Sequence, residues 1–132
     1  MSERVLVCGG RYYEDQRFVD AVLDKLHETH GIAVVIAGGK LRSPKRSELA
    51  RGADKCGLRW AESRGVEWIE CPADWDRYGN AAGPIRNSEM LREHRPTLVV
   101  SLPGGTGTAD MVRKAKRAGV EVLKWTAEAL AG

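Results

Sequence analysis

The chain has 132 residues, 42% hydrophobic and 30% charged, with 21 Lys and Arg against 18 Asp and Glu. That length fits a single domain over residues 1–132, able to bury a core without disulfides or metal; the apolar content excludes a disordered chain, and an excess of three positive charges suits a small anionic ligand but falls short of a nucleic-acid coat. Cys8, Cys56 and Cys71 are odd in number without CxxC spacing, and no apolar run approaches ~18 residues, so the expectation is a reducing, cytoplasmic setting with no metal and no membrane partner.

In chain order, β-branched runs alternate with amphipathic ones, the pattern of parallel βαβ units. Strands are predicted at Arg4–Cys8, Ile32–Ala37, Val66–Glu70, Thr97–Leu102 and Val120–Trp125. The second and fourth are nearly continuous apolar runs, as expected when helices cover both faces of a sheet. The first helix shows Phe18, Val19, Val22, Leu23 and Leu26 on one face, with Gly31 placed to end it. The second, Ala53–Arg64, presents Ala53, Gly57, Trp60 and Ala61. A third starts at Pro84, which suits a first helical position and puts Arg86 in the first turn. A fourth follows Thr106 and turns Met111, Val112, Ala115 and Ala118 inward; a last short helix is expected over Thr126–Leu130. The connections 38–52 and 71–83 exceed the usual ~2–6 residues, as functional loops often do.

Seven of the 15 glycines directly follow predicted strands: Gly9 and Gly10, Gly38 and Gly39, then Gly104, Gly105 and Gly107. In a parallel sheet those strand ends share one edge, where open α/β folds bind ligands. Pro103-Gly104-Gly105-Thr106-Gly107-Thr108 links a buried strand to a helix whose first amides lack internal partners, and these amides with the two threonine hydroxyls suit a phosphate. The competing reading is a plain turn with Thr106 or Thr108 as N-cap. Neither GxxxxGKS/T nor GxGxxG is present, which weakens ATP hydrolysis and hydride transfer. Arg86, with Asn87 beside it, is a candidate clamp on phosphate, against the alternative of a salt bridge to Glu89 or an acid in the preceding loop. Arg11 follows Gly10 and faces either the anion or solvent. Trp75 and Tyr78, with Asp74, are candidate base and sugar contacts, or simply pin their loop. His27 and His30 read as surface imidazoles. The stretch Lys40–Arg51 carries five cations against Glu48 and reads as a solvated loop, a phosphate-attracting lid or a nucleic-acid contact.

GGR after the first strand, GG and RGAD after the second, PADW, AGPIRN and PGGTGTADM together resemble the YspA-like family of the SLOG (SMF/DprA–LOG) superfamily, over about residues 4–125. The resemblance implies a Rossmann-like three-layer domain: a parallel five-stranded sheet in order 3-2-1-4-5 with helices on both faces. It also implies a nucleotide or nucleotide-derived ligand at the PGGTGT loop and, as is often so in the family, a homodimer; no cofactor is expected to be required. Two departures stand out. An insertion, Lys40–Ala50, separates Gly38-Gly39 from Arg51-Gly52-Ala53-Asp54 and argues against a joint role for these pieces. The LOG phosphoribohydrolases carry PGGxGTxxE and a catalytic arginine–glutamate pair; the arginine matches Arg86 here, but the glutamate position is Met111.

Successive helical residues turn by about 100°, so Asp110 is expected to point outward with Arg113, Lys114 and Arg117 and to pair with Lys114. Methionine cannot transfer a proton, so cleavage by the LOG pair should be absent. The expected function is binding or sensing of a mononucleotide, ADP-ribose or dinucleotide. The alternatives are an N-glycoside hydrolase using Asp74, Asp76 or Glu89, and a nucleic-acid partner using Lys40–Arg51.

Overall fold

The structure, a computed structural model, describes residues 2–126. The helix expected over Thr126–Leu130 extends past residue 126 and so lies outside the described residues. Strands β1 (Glu3–Cys8), β2 (Ile32–Gly38), β3 (Glu67–Cys71), β4 (Leu98–Ser101) and β5 (Glu121–Lys124) form one parallel sheet in the order β3-β2-β1-β4-β5. The three central strands are buried on both faces. Val5, Val7, Val35, Leu98 and Val100 face one side, and Leu6, Cys8, Val34, Ile36 and Val99 the other.

Helices α1 (Gln16–Thr29) and α2 (Gly52–Arg64) cover the first side; α4 (Ala82–His94) and α5 (Thr106–Arg117) cover the second. A single turn, α3 (Trp75–Tyr78), lies between β3 and α4. This is the three-layer Rossmann-like arrangement. No helix of the described residues is long and apolar enough to cross a membrane.

Local sequence explains most boundaries. Asp15 caps α1 by accepting from the Phe18 amide (3.1 Å), and Val19 and Leu23 are buried on the expected stripe. In α2 the four residues expected to face inward, Ala53, Gly57, Trp60 and Ala61, are all buried, and Gly65 ends the helix in the left-handed region.

Three expectations need correction. Helix α4 begins at Ala82, not Pro84, because a 3-10 turn over Gly79–Ala81 leads straight into it. Proline is still tolerated, since amides of the first turn have no intrahelical acceptor; Arg86 consequently sits in the second turn. Ala118 is the C-cap of α5 and exposed, because the helix ends at Arg117. Asp110 does pair with Lys114 (3.0 Å) and Arg113 (2.9 Å), but its side chain is only 13% exposed. It faces α4, where it also accepts from Asn87 Nδ2 (3.0 Å). Asp110 thus lies on the opposite side of α5 from Met111, as helical geometry requires, but that side is covered by α4.

Gly57 brings α2 close onto β1: a Cβ there would come within 2.8–3.0 Å of three Val7 side-chain atoms. Alanine is the better helix former by ~1 kcal/mol. Even so, Gly57→Ala should lower the unfolding free energy by about 1–3 kcal/mol through overpacking, measured by equilibrium urea denaturation. A stabilised variant would show that Val7 can move aside.

Candidate functional site

The parallel sheet directs the carboxyl ends of β1, β2 and β4, and the helix starts that follow them, to one edge. The loops after β1 and β4 touch backbone to backbone there: the Gly10 amide donates to Pro103 O (2.8 Å), and the Ala53 amide of α2 donates to Gly10 O (3.2 Å). Side chains would not fit. A Cβ on Gly9 would lie 2.6 Å from Ala53 Cβ, one on Gly10 2.8 Å from Pro103 O, and one on Gly104 2.7 Å from the Gly10 amide nitrogen. These glycines are accounted for by contacts within the protein.

Gly105 and Gly107 are different. Neither meets any atom within 4 Å of a built Cβ, and neither has positive φ. Gly105 is the N-cap of α5 and supplies no side chain, no side chain caps the helix, and its first turn holds no acid. The competing N-cap reading for Thr106 and Thr108 therefore fails. Among the described residues, the amides of Thr106, Gly107 and Thr108 have no hydrogen-bond acceptor. They form an open set of donors at the positive end of a three-turn helix. Arg11 and Tyr12 project from the adjoining turn; Arg11 is exposed without an ion pair, and Tyr12 is 87% exposed, an aromatic that sequence reading passed over.

Arg86 reaches this edge from α4. Its Nη1 donates to Cys71 O (3.1 Å) and its Nε to Asn87 Oδ1 (3.2 Å). Asn87, 4% exposed, donates in turn to Gly107 O (3.3 Å) and Asp110, bracing α4 against the start of α5. Neither Glu89 nor an acid of the preceding loop pairs with Arg86. Its acidic neighbour is Asp54, on the first turn of α2: a Cβ on Gly38 would collide with the guanidinium and approach Asp54 Oδ2 to 2.9 Å.

Sequence reading quoted Asp54 within RGAD but assigned it no role. A helix-dipole argument makes any acid in a first turn unremarkable, and only the fold brings this one opposite Arg86. Asp54 is half-buried and, among the described residues, receives no hydrogen bond. Atoms packed around its carboxyl strip away water and push its pKa up to about 7, with Arg86 acting in the opposite direction. Burial likewise raises the Cys8 thiol to about 12 and the Cys71 thiol to about 11, so both remain protonated. Burial also works to raise the Asp110 carboxyl, but hydrogen bonds from Asn87 and Lys114 prevail and hold it below the ordinary range.

The insertion does not part the two pieces it interrupts. Lys40 and Ala50 close it at the base (Lys40 N to Glu48 O, 2.7 Å; Ala50 N to Lys40 O, 2.8 Å). Gly39, at φ 90°, lies so close to Ala50 that a Cβ would fall 2.5 Å from its Cα. Gly38 and Asp54 thus come together despite the ten residues between Gly39 and Ala50. The excursion is pinned by a two-pronged Arg42–Glu62 pair (2.8 and 3.0 Å), by Leu41 N to Glu70 (2.8 Å) and by the Lys45–Asp76 pair. Three of its five cations, Lys40, Arg42 and Lys45, are engaged internally.

Asp74, Trp75 and Tyr78 stand apart from the α5 loop. Asp74 caps α3 through the Arg77 amide (3.2 Å), Trp75 lies against Gly83, and the Arg77 guanidinium stacks on Tyr78 at 5.0 Å. In the sheet order, β3 is three strands from β4.

This strand order, with a glycine loop opening α5 at the carboxyl edge, defines the class: a Rossmann-like α/β domain whose candidate site is built from loops after β1, β2 and β4. The chain belongs to the YspA, cpYpsA-related SLOG family, whose profile matches residues 3–78, more than half of its length. It is also 35% identical over 129 residues to the Gene 61 protein of Mycobacterium phage D29, an alignment covering 92% of this chain and 95% of that protein.

The Asp54 environment has a measurable consequence. Between roughly pH 4 and pH 7 the folded chain keeps a proton that the unfolded chain has released, so this carboxyl weakens folding progressively as pH rises through that window. Asp54→Asn removes the effect. Its melting temperature relative to the unmodified protein should rise by about 5 °C between pH 5 and pH 8, measured by calorimetry. A difference that stays flat with pH would mean the carboxyl is well solvated.

Proposed function

We propose that this protein binds or senses a nucleotide-derived ligand, with a phosphate on the amides of Thr106, Gly107 and Thr108 and Arg86 as a second anion contact. The observation that carries this reading is the uncapped, acid-free start of α5, opened by two glycines that no packing contact requires. A glycine at the N-cap gives up only about a few tenths of a kcal/mol relative to Ser, Thr, Asp or Asn, and it leaves those donors without a side-chain acceptor. An anion satisfies them and gains from the helix dipole. The Thr106 and Thr108 hydroxyls add donors of the same kind, and Arg11 adds charge at the rim.

Ligand length follows from strand spacing. At ~4.8 Å per strand, Asp54 after β2 lies about 10 Å from the α5 loop and Trp75 after β3 about 14 Å. A mononucleotide covers the first span; an ADP-ribose or dinucleotide is needed for the second. The engaged cations of the insertion leave only Arg46 and Arg51 in that stretch without an ion pair, which favours the small ligand over a nucleic acid.

A thermal-shift panel of mononucleotides, ADP-ribose and dinucleotides tests the reading. A ligand at ~100 times its dissociation constant should add about 2.7 kcal/mol of stability. Gly105→Val is the cleanest probe: its side chain enters open space, so the unliganded melting temperature should stay within ~1 °C while the ligand shift disappears. Arg86→Ala should remove most of the shift as well. If no nucleotide at millimolar concentration moves the melting curve, the reading fails. Trp75→Ala should weaken ADP-ribose or a dinucleotide and leave a mononucleotide unchanged, read from the same titrations.

A further inference from the structure

Arg86 carries a charge that the fold positions but does not pair. Its Nη1 and Nε donate to the Cys71 carbonyl and to Asn87, which fix the guanidinium and leave it without an ion pair among the described residues. On one side it meets the space over Gly38, where a Cβ would collide with it and come within 2.9 Å of Asp54 Oδ2. Asp54 is half-buried and, among the described residues, receives no hydrogen bond and forms no ion pair. On another side Arg86 lines a cavity with Glu70, Glu89, Glu93 and His94. Arg86 and Asp54 thus converge on one small space, opposite in charge and each without a partner.

We propose that Asp54 is a proton-operated gate on the anion contact at Arg86: its carboxylate and the ligand's phosphate compete for one guanidinium, and the ligand binds with uptake of a proton by Asp54. The inference rests on the reading that a phosphate reaches Arg86. Where water is excluded, two anions sharing one cation repel each other strongly, because little solvent screens them. A proton on the carboxyl removes that repulsion, and the neutral acid gains an O–H that can donate to a phosphate oxygen. Loss of the proton gives Arg86 an internal counter-ion and weakens its hold on the ligand.

The groups around the carboxyl set the direction of the effect. Desolvation raises the Asp54 pKa to about 7, with Arg86 of α4 acting in the opposite direction. The Cys8 thiol of β1 and the Cys71 thiol of β3 also face it, and burial keeps both neutral, at about 12 and about 11. The start of α5 brings no acid. A bound phosphate raises Asp54 further, since a like charge disfavours ionisation. Affinity is therefore greatest below about pH 7 and falls as pH rises, by up to about tenfold per pH unit where binding needs one proton.

The test titrates AMP, ADP-ribose and NAD into the full chain by calorimetry at about pH 6 and about pH 8.5, in paired buffers of different ionisation enthalpy. The pyrophosphates of ADP-ribose and NAD do not titrate in that range; the AMP phosphate does, near pH ~6, and is read against Asp54→Asn. For a nucleotide that binds, Kd should rise about tenfold or more between the two pH values, with close to one proton taken up per ligand at the higher. Asp54→Asn should bind at about pH 8.5 as tightly as the unmodified protein does at about pH 6, and take up no proton. Asp54→Glu should restore a pH dependence. His94→Gln, which removes the imidazole from the cavity beside Arg86, should behave as the unmodified protein. An affinity that is flat with pH overturns the gate and leaves the binding reading intact, as does a pH dependence that survives in Asp54→Asn or vanishes in His94→Gln. Failure of all three nucleotides to bind at about pH 6 defeats the binding reading and the gate together.

Discussion

The candidate site depends on one close approach: the Gly10 amide donating to Pro103 O across the ends of β1 and β4. In a parallel sheet neighbouring strands run the same way, so their loops emerge side by side and compete for space. Glycine at positions 9, 10 and 104 resolves that competition, since each Cβ would fall within 3 Å of a neighbouring atom. With the loops in contact, α5 starts directly at the edge and has no residue available to cap it. The open amides are thus a product of tight loop packing, and Gly105 and Gly107 keep the space above them clear. Glycines required by packing and glycines that face open space are thus different members of one motif.

That division changes where a titratable group is to be sought. An acid on α5 would have to project from the buried side at Met111 or the α4-facing side at Asp110. The first is core. The second is locked by hydrogen bonds that hold its carboxyl ionised. Asp54 approaches instead from α2, across the width of β1, and meets Arg86 over Gly38. Its environment is the reverse of that around Asp110: little hydrogen bonding, strong desolvation and a cation nearby but not in direct contact. Two aspartates on one edge therefore have pKa values displaced in opposite directions, because one is satisfied and the other is not.

Hydrophobic periodicity made the elements legible. The apolar runs of β2 and β4 announced burial on both faces, and the stripe Ala53, Gly57, Trp60, Ala61 identified the inner side of α2. Alternation of strands with helices led to the parallel sheet, while the strand order came with the family resemblance. What periodicity could not supply was tertiary context. Asp110 points away from the sheet as helical geometry requires, but "away from the sheet" meets α4. Pro84 is compatible with any position in a first turn, so it could not distinguish a start at 84 from one at 82. Glycine clustering could not separate glycines demanded by neighbouring backbone from those facing solvent. Asp54 lay in a quoted motif but had no distinguishing local signal: its partner is 32 residues away on another helix.

The insertion shows the same limit on a larger scale. As a string, Lys40–Arg51 is a basic loop, and basic loops suggest phosphate lids or nucleic-acid contacts. In the fold each pinning cation answers an acid presented by a different element: Glu62 from α2, Asp76 from α3, and Glu48 within the excursion itself. Exposed pairs of this kind contribute little stability individually, but three anchors on separate elements fix the orientation of a segment that would otherwise sweep across the edge. Closed at Gly39 and Ala50, it adds a wall beside α3 without disturbing the approach of Gly38 to Asp54. A charged insertion can in this way be absorbed into a small α/β fold while the edge where a ligand would bind stays open.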